Sequence, residues 1–445
     1  MQITKTNIQQ AGRKLTPLGL LFLLHLLFFV YQLFSGQWYL KDSHEYVAAT
    51  QNLWELGLPY AGDWSEVLRM DLFSKRPLIY PLLLLPGWLI GQVEVWGALV
   101  QMGLSLFSMH LALKLFAYFF PDKNPRRLWM LLLLTYPAQL IFANLLMSEL
   151  LLQALLMGML YTALMGWEGK LGGYWVWLYH LLLGLAIWTK PLMYLFVLPN
   201  LILGGYWAWK KVSYLAPVLA LSLILGVGGF MGKNAQFTTH VHFSSIQNLS
   251  LHQYSTTAVL KATYGTERGY DLADSLLLEA LSQADYGSEQ RLLQQGSVNT
   301  ILDHPGTYVV QHLKGMLSFY LDPGRFEWAH MIGFEATGEG LQSQAATGGV
   351  GGMLDYVLGQ PLYLWLPLLL VFLANLLKFA LMGVALLTKS EVPRLKWALI
   401  LSLLYVSGLT GISGASRFAV PVFPMIFLLA TLGWLAWQKR LAARK

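Results

Sequence analysis

The sequence predicts an all-α polytopic membrane protein of about ten transmembrane helices, and three observations predict it. The 445-residue chain is 56% hydrophobic and only 12% charged, where soluble domains carry roughly 25% charged residues. Its apolar runs recur at lengths near the ~20 residues that a bilayer core requires. Its cations gather in short loops, while its acids gather in other segments.

Spans are expected over 17–34, 95–119, 127–145, 147–166, 173–189, 191–209, 213–231, 361–388, 397–413 and 417–437. The segment after Arg13-Lys14 is long and lacks a small-x-small cleavage site, so it reads as a first span rather than a signal peptide. Lys5, Arg13 and Lys14 precede that span. Lys123, Arg126 and Arg127 share one loop, Lys210 and Lys211 a second, and Lys389, Arg394 and Lys396 a third. Lys439, Arg440, Arg444 and Lys445 form the tail. The positive-inside rule makes these the cytoplasmic segments, with both termini inside. The net charge of +7 is thereby explained by topology, and no nucleic-acid partner is expected.

The acids fall on the other face. Residues 35–76 hold Asp42, Glu45, Glu55, Asp63, Glu66 and Asp71, and residues 232–356 are richer in acids than in bases. Both segments should lie outside. "PLIYPLLLLPGWLIG" (77–91) is apolar but short, and it contains Pro77, Pro81 and Pro86. It reads as a helix lying in the outer interface, within a first external loop over 35–94. Three parts follow: a transmembrane module over 1–231, an external region over 232–356, and C-terminal helices over 357–445. In the external region "ILDHPGTYVVQHLKGMLSFYLDPGRFEW" has apolar residues near helical spacing and suggests an amphipathic helix over the membrane. The Gly-rich 340–354 stretch reads as a mobile loop that can close over a substrate, or as a plain linker.

Charges within apolar spans are costly, so each is a functional candidate by default. Lys114 is near the inner end of its span and should snorkel; Lys378 is deeper and has no evident partner in the sequence. Glu149, Lys190 and Arg417 belong to three separate hairpins, yet all fall at the outer face by this topology, beside Asp42 and Glu45. Asp42 can cap a helix start, with Glu45 three residues on bonding back as in a capping box. The charges together form either a set of helix-locking ion pairs or a polar cavity open to the outer leaflet. Acids and bases in one such cavity suit a lipid phosphate: a cation stabilises the departing phosphate and a carboxylate accepts or orients an attacking hydroxyl. His44, His240, His242, His252, His304, His312 and His330 are external, scattered and expected mostly on the surface. No metal-ligand spacing occurs among them, so no cofactor is expected and a divalent metal is not indicated. The chain has no cysteine, which excludes disulfides and thiol chemistry.

Several motifs then occur in a telling order: "KDSHEYVAATQNLWELGLPY", "SKRPLIYPLLLLPG", "YPAQLIFANLLMSELLL" with Pro137 and Glu149, "GLAIWTKP", and "SRFAVPVFPMIFLLA". In this order, and in having seven spans before a large external region and further spans after it, the chain resembles the GT-C superfamily of membrane glycosyltransferases. The likeness is greatest to bacterial members related to protein mannosyltransferases and lipid A aminoarabinose transferases. The resemblance implies a GT-C-like bundle with interfacial helices in the first external loop. It implies a transferase of the bacterial cytoplasmic membrane that takes a sugar from a polyprenyl-phosphate-linked donor at the outer face, inverting the anomeric centre. The acceptor would be a lipid, a growing glycan or a protein. The family's acid after the first span, its base or acceptor-orienting group, maps to Asp42. Its donor-phosphate cations map to Lys75, Arg76, Lys190 and Arg417. Glu45 is the candidate for a second catalytic acid, and Tyr46 and Glu149 are further site candidates. Relatives often carry the second acid next to the first or two positions on, where this chain has Ser43 and His44. The WWDYG-type motif is absent, so transfer of a whole glycan en bloc is not expected. A lipid-linked glycan polymerase or ligase, a transporter of lipids or small solutes, and a non-catalytic subunit are the alternatives. No internal repeat supports the transporter reading.

Overall fold

A computed structural model of the protein describes residues 15–334, 349, 351–352 and 355–443. Lys5, Arg13, Lys14, Arg444, Lys445 and most of the Gly-rich 340–354 stretch lie outside the described residues. The described chain is helical throughout: α1 (Pro17–Ser35), α2 (Lys41–Leu56), α3 (Ile79–Leu89), α4 (Val93–Phe119), α5 (Arg126–Leu134), α6 (Ala138–Ala143), α7 (Glu149–Trp167), α8 (Trp175–Ile187), α9 (Val197–Trp209) and α10 (Ala216–Thr238). The region expected outside follows as α11 (Ile246–Ser250), α12 (Thr257–Tyr264), α13 (Thr266–Leu281), α14 (Tyr286–Asp303), α15 (Pro305–Leu321) and α16 (Arg325–Met331). The C-terminal part is α17 (Leu362–Leu387), α18 (Pro393–Thr410), α19 (Ser416–Ala419) and α20 (Phe423–Ala442).

Eight segments among the described residues are long and apolar enough to cross a membrane, and each matches an expected span. The other two expected spans are shorter. The 127–145 segment breaks into α5 and α6 around Thr135-Tyr136-Pro137. Pro137 has no N–H for the helical ladder, and its ring disfavours helical geometry at Tyr136. The break is closed by Lys378, whose Nζ donates to Thr135 O at 3.2 Å over the Tyr136 ring. The intramembrane lysine that the sequence left without a partner therefore caps the C-terminus of α5, where a cation meets the negative end of the helix dipole. The 173–189 segment forms the 13-residue α8 and stops short of Lys190-Pro191, where Lys190 adopts an extended conformation, as a residue before proline favours.

Local chemistry fixes the ends of α1. Thr16 Oγ1 accepts from Gly19 N at 3.0 Å, Pro17 opens the helix, and Gly36 closes it at φ 69°. Hydrogen bonds join many of the polar side chains inside the core, where lipid offers no partner. His25 Nε2 meets Ser105 Oγ at 2.7 Å, Gln139 donates to the same oxygen at 2.8 Å, and Gln139 and Gln153 exchange bonds at 2.7 and 2.8 Å. Gln101 donates to Leu145 O at 2.8 Å and accepts from Tyr80 OH at 3.0 Å. It thereby satisfies backbone in the irregular turn between α6 and α7. The segment 77–91 forms α3, an 11-residue helix too short to span, with Tyr80 and Leu84 fully buried between neighbours. α10 continues to Thr238, past the expected boundary at residue 231. Lys114 is exposed on α4.

A charge ladder as candidate active site

Five chain segments converge at one end of the bundle: the start of α2, the loop before α3, the start of α7, the α8–α9 turn, and α19. The start of α2 differs from the capping box expected for Asp42 and Glu45. Helix α2 begins at Lys41, and Ser43 Oγ accepts from Leu40 N at 2.9 Å. Ser43 thus does the capping, and both acids are left to project into the site. They meet cations instead.

The ion pairs form one unbranched chain of alternating sign. Lys75 Nζ lies 2.9 Å from Glu45, and Arg76 lies 2.6 Å from Glu45 and 2.8 Å from Asp42. Arg417 lies 2.6 Å from Asp42 and 2.7 Å from Glu149, and Lys190 lies 2.7 Å from Glu149. All six charged residues taken as catalytic or phosphate-binding candidates are therefore in contact with one another or with Glu149. Tyr46 joins them: its ring lies 5.0 Å from the Arg76 guanidinium and its hydroxyl is 2.9 Å from Ser148 Oγ. Each carboxylate is shared by two cations, and the four cations outnumber the three carboxylates by one.

Burial varies along the ladder. The Glu149 side chain is fully buried, and its Oε1 takes both Lys190 and Arg417 while Oε2 has no partner. Arg76 is 7% exposed, whereas Asp42 and Arg417 are each 24% exposed. The ladder therefore opens at its middle, at the Asp42–Arg417 pair. Burial alone would raise the Asp42 carboxyl, but the Arg417 and Arg76 guanidiniums outweigh it and hold the group down at about 2. A cavity of about 180 Å³ adjoins Arg76, walled by Ser74, Leu78, Trp188 and Phe243 with Lys233 at its edge.

The region between α10 and α17 holds the ladder at two points, its Lys75 end and the helix that carries Arg417. Ser244 Oγ donates to Lys75 O at 3.1 Å, and His242 Nε2 meets Ser74 Oγ at 3.0 Å. Ser74 itself sits at φ 55°, which turns the chain sharply before Lys75 and Arg76. At the other side Asp322 Oδ2 accepts from Ser416 N at 2.8 Å and so anchors the short helix that carries Arg417. Sequence reasoning did not single out Ser43, Ser148, Ser244 or Asp322. The "DPG" after α15 is a turn signal, but nothing local says which helix such a turn will meet. The histidines of this region are also less superficial than expected, since His242 and His252 are 3% and 2% exposed. Among the described residues no group of His, Cys, Asp or Glu has the arrangement of a metal site.

No family model matches the chain, and no curated protein does. Two solved structures are similar to it along most of its length, both of ArnT from Cupriavidus metallidurans. The one bound to undecaprenyl phosphate has a TM-score of 0.38 and 14% identity, covering 94% of this chain and 75% of that one. The apo form has a TM-score of 0.34 and 15% identity, covering 92% of this chain and 77% of that one.

Proposed function

We propose that the chain is an integral-membrane glycosyltransferase of the GT-C kind. It moves a sugar from a polyprenyl-phosphate-linked donor to an acceptor at the outer face of the membrane. The observation that carries this reading is the charge ladder itself: four cations and three carboxylates at one end of an apolar bundle, with positive charge in excess and an opening at Asp42–Arg417. A lipid phosphate is the anion that suits a cationic site at headgroup depth.

The ladder also gives the mechanism a switch. In the resting state Asp42 is a poor base, because a carboxyl held at about 2 has little affinity for a proton. A donor phosphate competes with Asp42 and Glu149 for Arg417, Arg76 and Lys190. As it takes these cations, Asp42 loses the charges that depress it and becomes a stronger acceptor. The acceptor hydroxyl then attacks the anomeric carbon and passes its proton to Asp42. The bond from that carbon to the phosphate oxygen breaks, and the cations stabilise the departing lipid phosphate. A single displacement of this kind inverts the anomeric centre. Glu45 holds Lys75 and Arg76 in place, and the Tyr46 ring supports the Arg76 guanidinium, a contact worth about 2 kcal/mol when desolvated. The cavity beside Arg76 offers space on one side of the ladder.

The reading is tested by equilibrium binding of polyprenyl phosphate to the purified protein and to Arg417→Gln. Binding should weaken in the variant. Equal affinity in the two would count against a phosphate role for Arg417.

A further inference from the structure

The helix α15 carries a continuous stripe of exposed positions at helical spacing: Val309, Val310, Leu313 and Leu317, with Lys314 beside them. The first four are 53%, 49%, 58% and 46% exposed. An apolar stripe of this kind is expected on a membrane-facing helix and is out of place on one surrounded by water.

The opposite side of α15 fixes its depth. A Cβ added to Gly315 would lie 2.2 Å from Gly411 O, so the helix packs directly on backbone at the end of α18. Tyr320 OH donates to Ser407 Oγ at 3.2 Å, about one turn inside that end. Asn375 in α17 donates to Asp322 O at 3.1 Å and to Leu321 O at 3.4 Å. The stretch of α17 from Leu362 to Asn375 is about 20 Å long at 1.5 Å per residue, and it exposes Leu366, Leu369, Leu370 and Leu373. The C-terminal end of α15 therefore lies beside the middle of the apolar, outward-facing α17 and one turn inside the end of α18.

The turn that follows is built for such a place. Backbone outside a helix survives at membrane depth only where its polar groups are satisfied by protein. Asp322 Oδ1 accepts from Gly324 N at 3.0 Å, its Oδ2 takes Ser416 N, and Asn375 takes the two carbonyls. Gly324 at φ 79° permits the reversal. α16 then packs on α6 and α17, and Tyr31 OH of α1 donates to Met331 O at its end at 3.1 Å.

We infer that α15 and α16 form a re-entrant hairpin in the leaflet on the site's side, with the Val309–Val310–Leu313–Leu317 stripe facing lipid acyl chains. The Lys314 ammonium reaches from beside the stripe toward the headgroups. The stripe continues the lipid-facing surface of α17, and the hairpin's turn is what grips the helix bearing Arg417. The inference is independent of the proposed reaction and stands on packing alone.

The chain has no cysteine, so single cysteines can be introduced cleanly at Val309, Leu313 and Leu317, with exposed Gln283 as the reference. Each variant is labelled with an environment-sensitive fluorophore and reconstituted in vesicles of phosphatidylethanolamine and phosphatidylglycerol. Nitroxide-bearing lipids should quench the three stripe labels several-fold more than the reference, and aqueous iodide should quench them several-fold less. Iodide quenching equal to that at Gln283 would overturn the hairpin. Shielding from both quenchers would mean that protein, a second copy or another partner, covers the stripe, and would overturn it too. Photolabelling of the unsubstituted chain with a diazirine acyl-chain lipid guards against misfolded variants: adducts on residues 309–317 are expected, and their absence alongside labelled α17 contradicts the inference.

Discussion

Replacing Glu149 by glutamine separates a ladder that binds phosphate from one that only locks helices. The substitution keeps the shape of the side chain and removes the charge that holds both Lys190 and Arg417 at 2.7 Å. Arg417 retains Asp42, but among the described residues Lys190, 12% exposed, has no other carboxylate within ion-pair distance. Breaking a buried ion pair by removing one partner costs about 3–5 kcal/mol, and the fully buried Glu149 belongs at the upper end of that range. The same change raises the ladder's excess from one positive charge to two, so an anionic ligand should bind more tightly. Stability and ligand affinity are thus expected to move in opposite directions. Thermal unfolding in detergent reads both, with and without polyprenyl phosphate. The variant should unfold at a lower temperature without ligand, and the lipid phosphate should raise its midpoint by more than it raises the wild type's, because ligand stabilisation grows with affinity. A variant as stable as wild type would refute the energetic argument. A destabilised variant with no larger ligand shift would leave helix locking as the ladder's only role.

Three further outcomes follow from the same geometry. Asp322→Ala removes the acceptor for Ser416 N and should cost about 0.5–2 kcal/mol, the range for a lost helix cap; it should also weaken polyprenyl-phosphate binding in the wild-type background but not in Arg417→Gln, and equal losses in both would show that Asp322 does not act through Arg417. Lys378→Met should leave phosphate binding unchanged, since Lys378 bonds Thr135 O outside the ladder, and it should alter stability through an unsatisfied carbonyl worth about 1–3 kcal/mol, offset by the removal of a buried charge; a large loss of binding would join Lys378 to the site. The pH dependence has a defined sign: the Asp42 carboxyl lies at about 2 in the fold against 3.8 for the free group, so its contribution is present above pH 3.8 and is lost as pH falls toward 2. Acid unfolding curves of wild type and Asp42→Asn should differ in slope within that window and run parallel above it, and a difference in slope near neutrality would contradict the pairing.

Much of the fold was legible because a bilayer enforces it. Apolar length marked the spans, and the alternation of basic and acidic segments marked their connections. The failures came where helices break. Pro137 lay inside an apolar run that read as one span, and only the third dimension brings Lys378 to the exposed carbonyl. The site was legible as a list of charges at a common depth, since an ion in an apolar span needs a reason to be there. Their pairing was not, because Asp42 and Arg417 are 375 residues apart and no local rule joins them. At the start of α2 the sequence suggested Asp42 and Glu45 as the partners of the first turn and gave no sign that Ser43 would take that place. The arginines decided the outcome by taking both acids, which left the cap to Ser43. The grip of the region between α10 and α17 was hidden for a related reason. Ser244 and Asp322 act through single hydrogen bonds to distant backbone, and such bonds leave no periodic pattern in a sequence.

Sugar transfer from a panel of polyprenyl-phosphate sugars by the purified protein, wild type beside Asp42→Asn, tests the central claim most directly. Wild type should transfer a sugar, and the variant should bind donor while losing transfer by ~100-fold or more, the usual worth of general base catalysis. Transfer by the variant at the wild-type rate would remove Asp42 from the reaction. Failure of wild type to bind any of the lipid phosphates would contradict the glycosyltransferase account altogether.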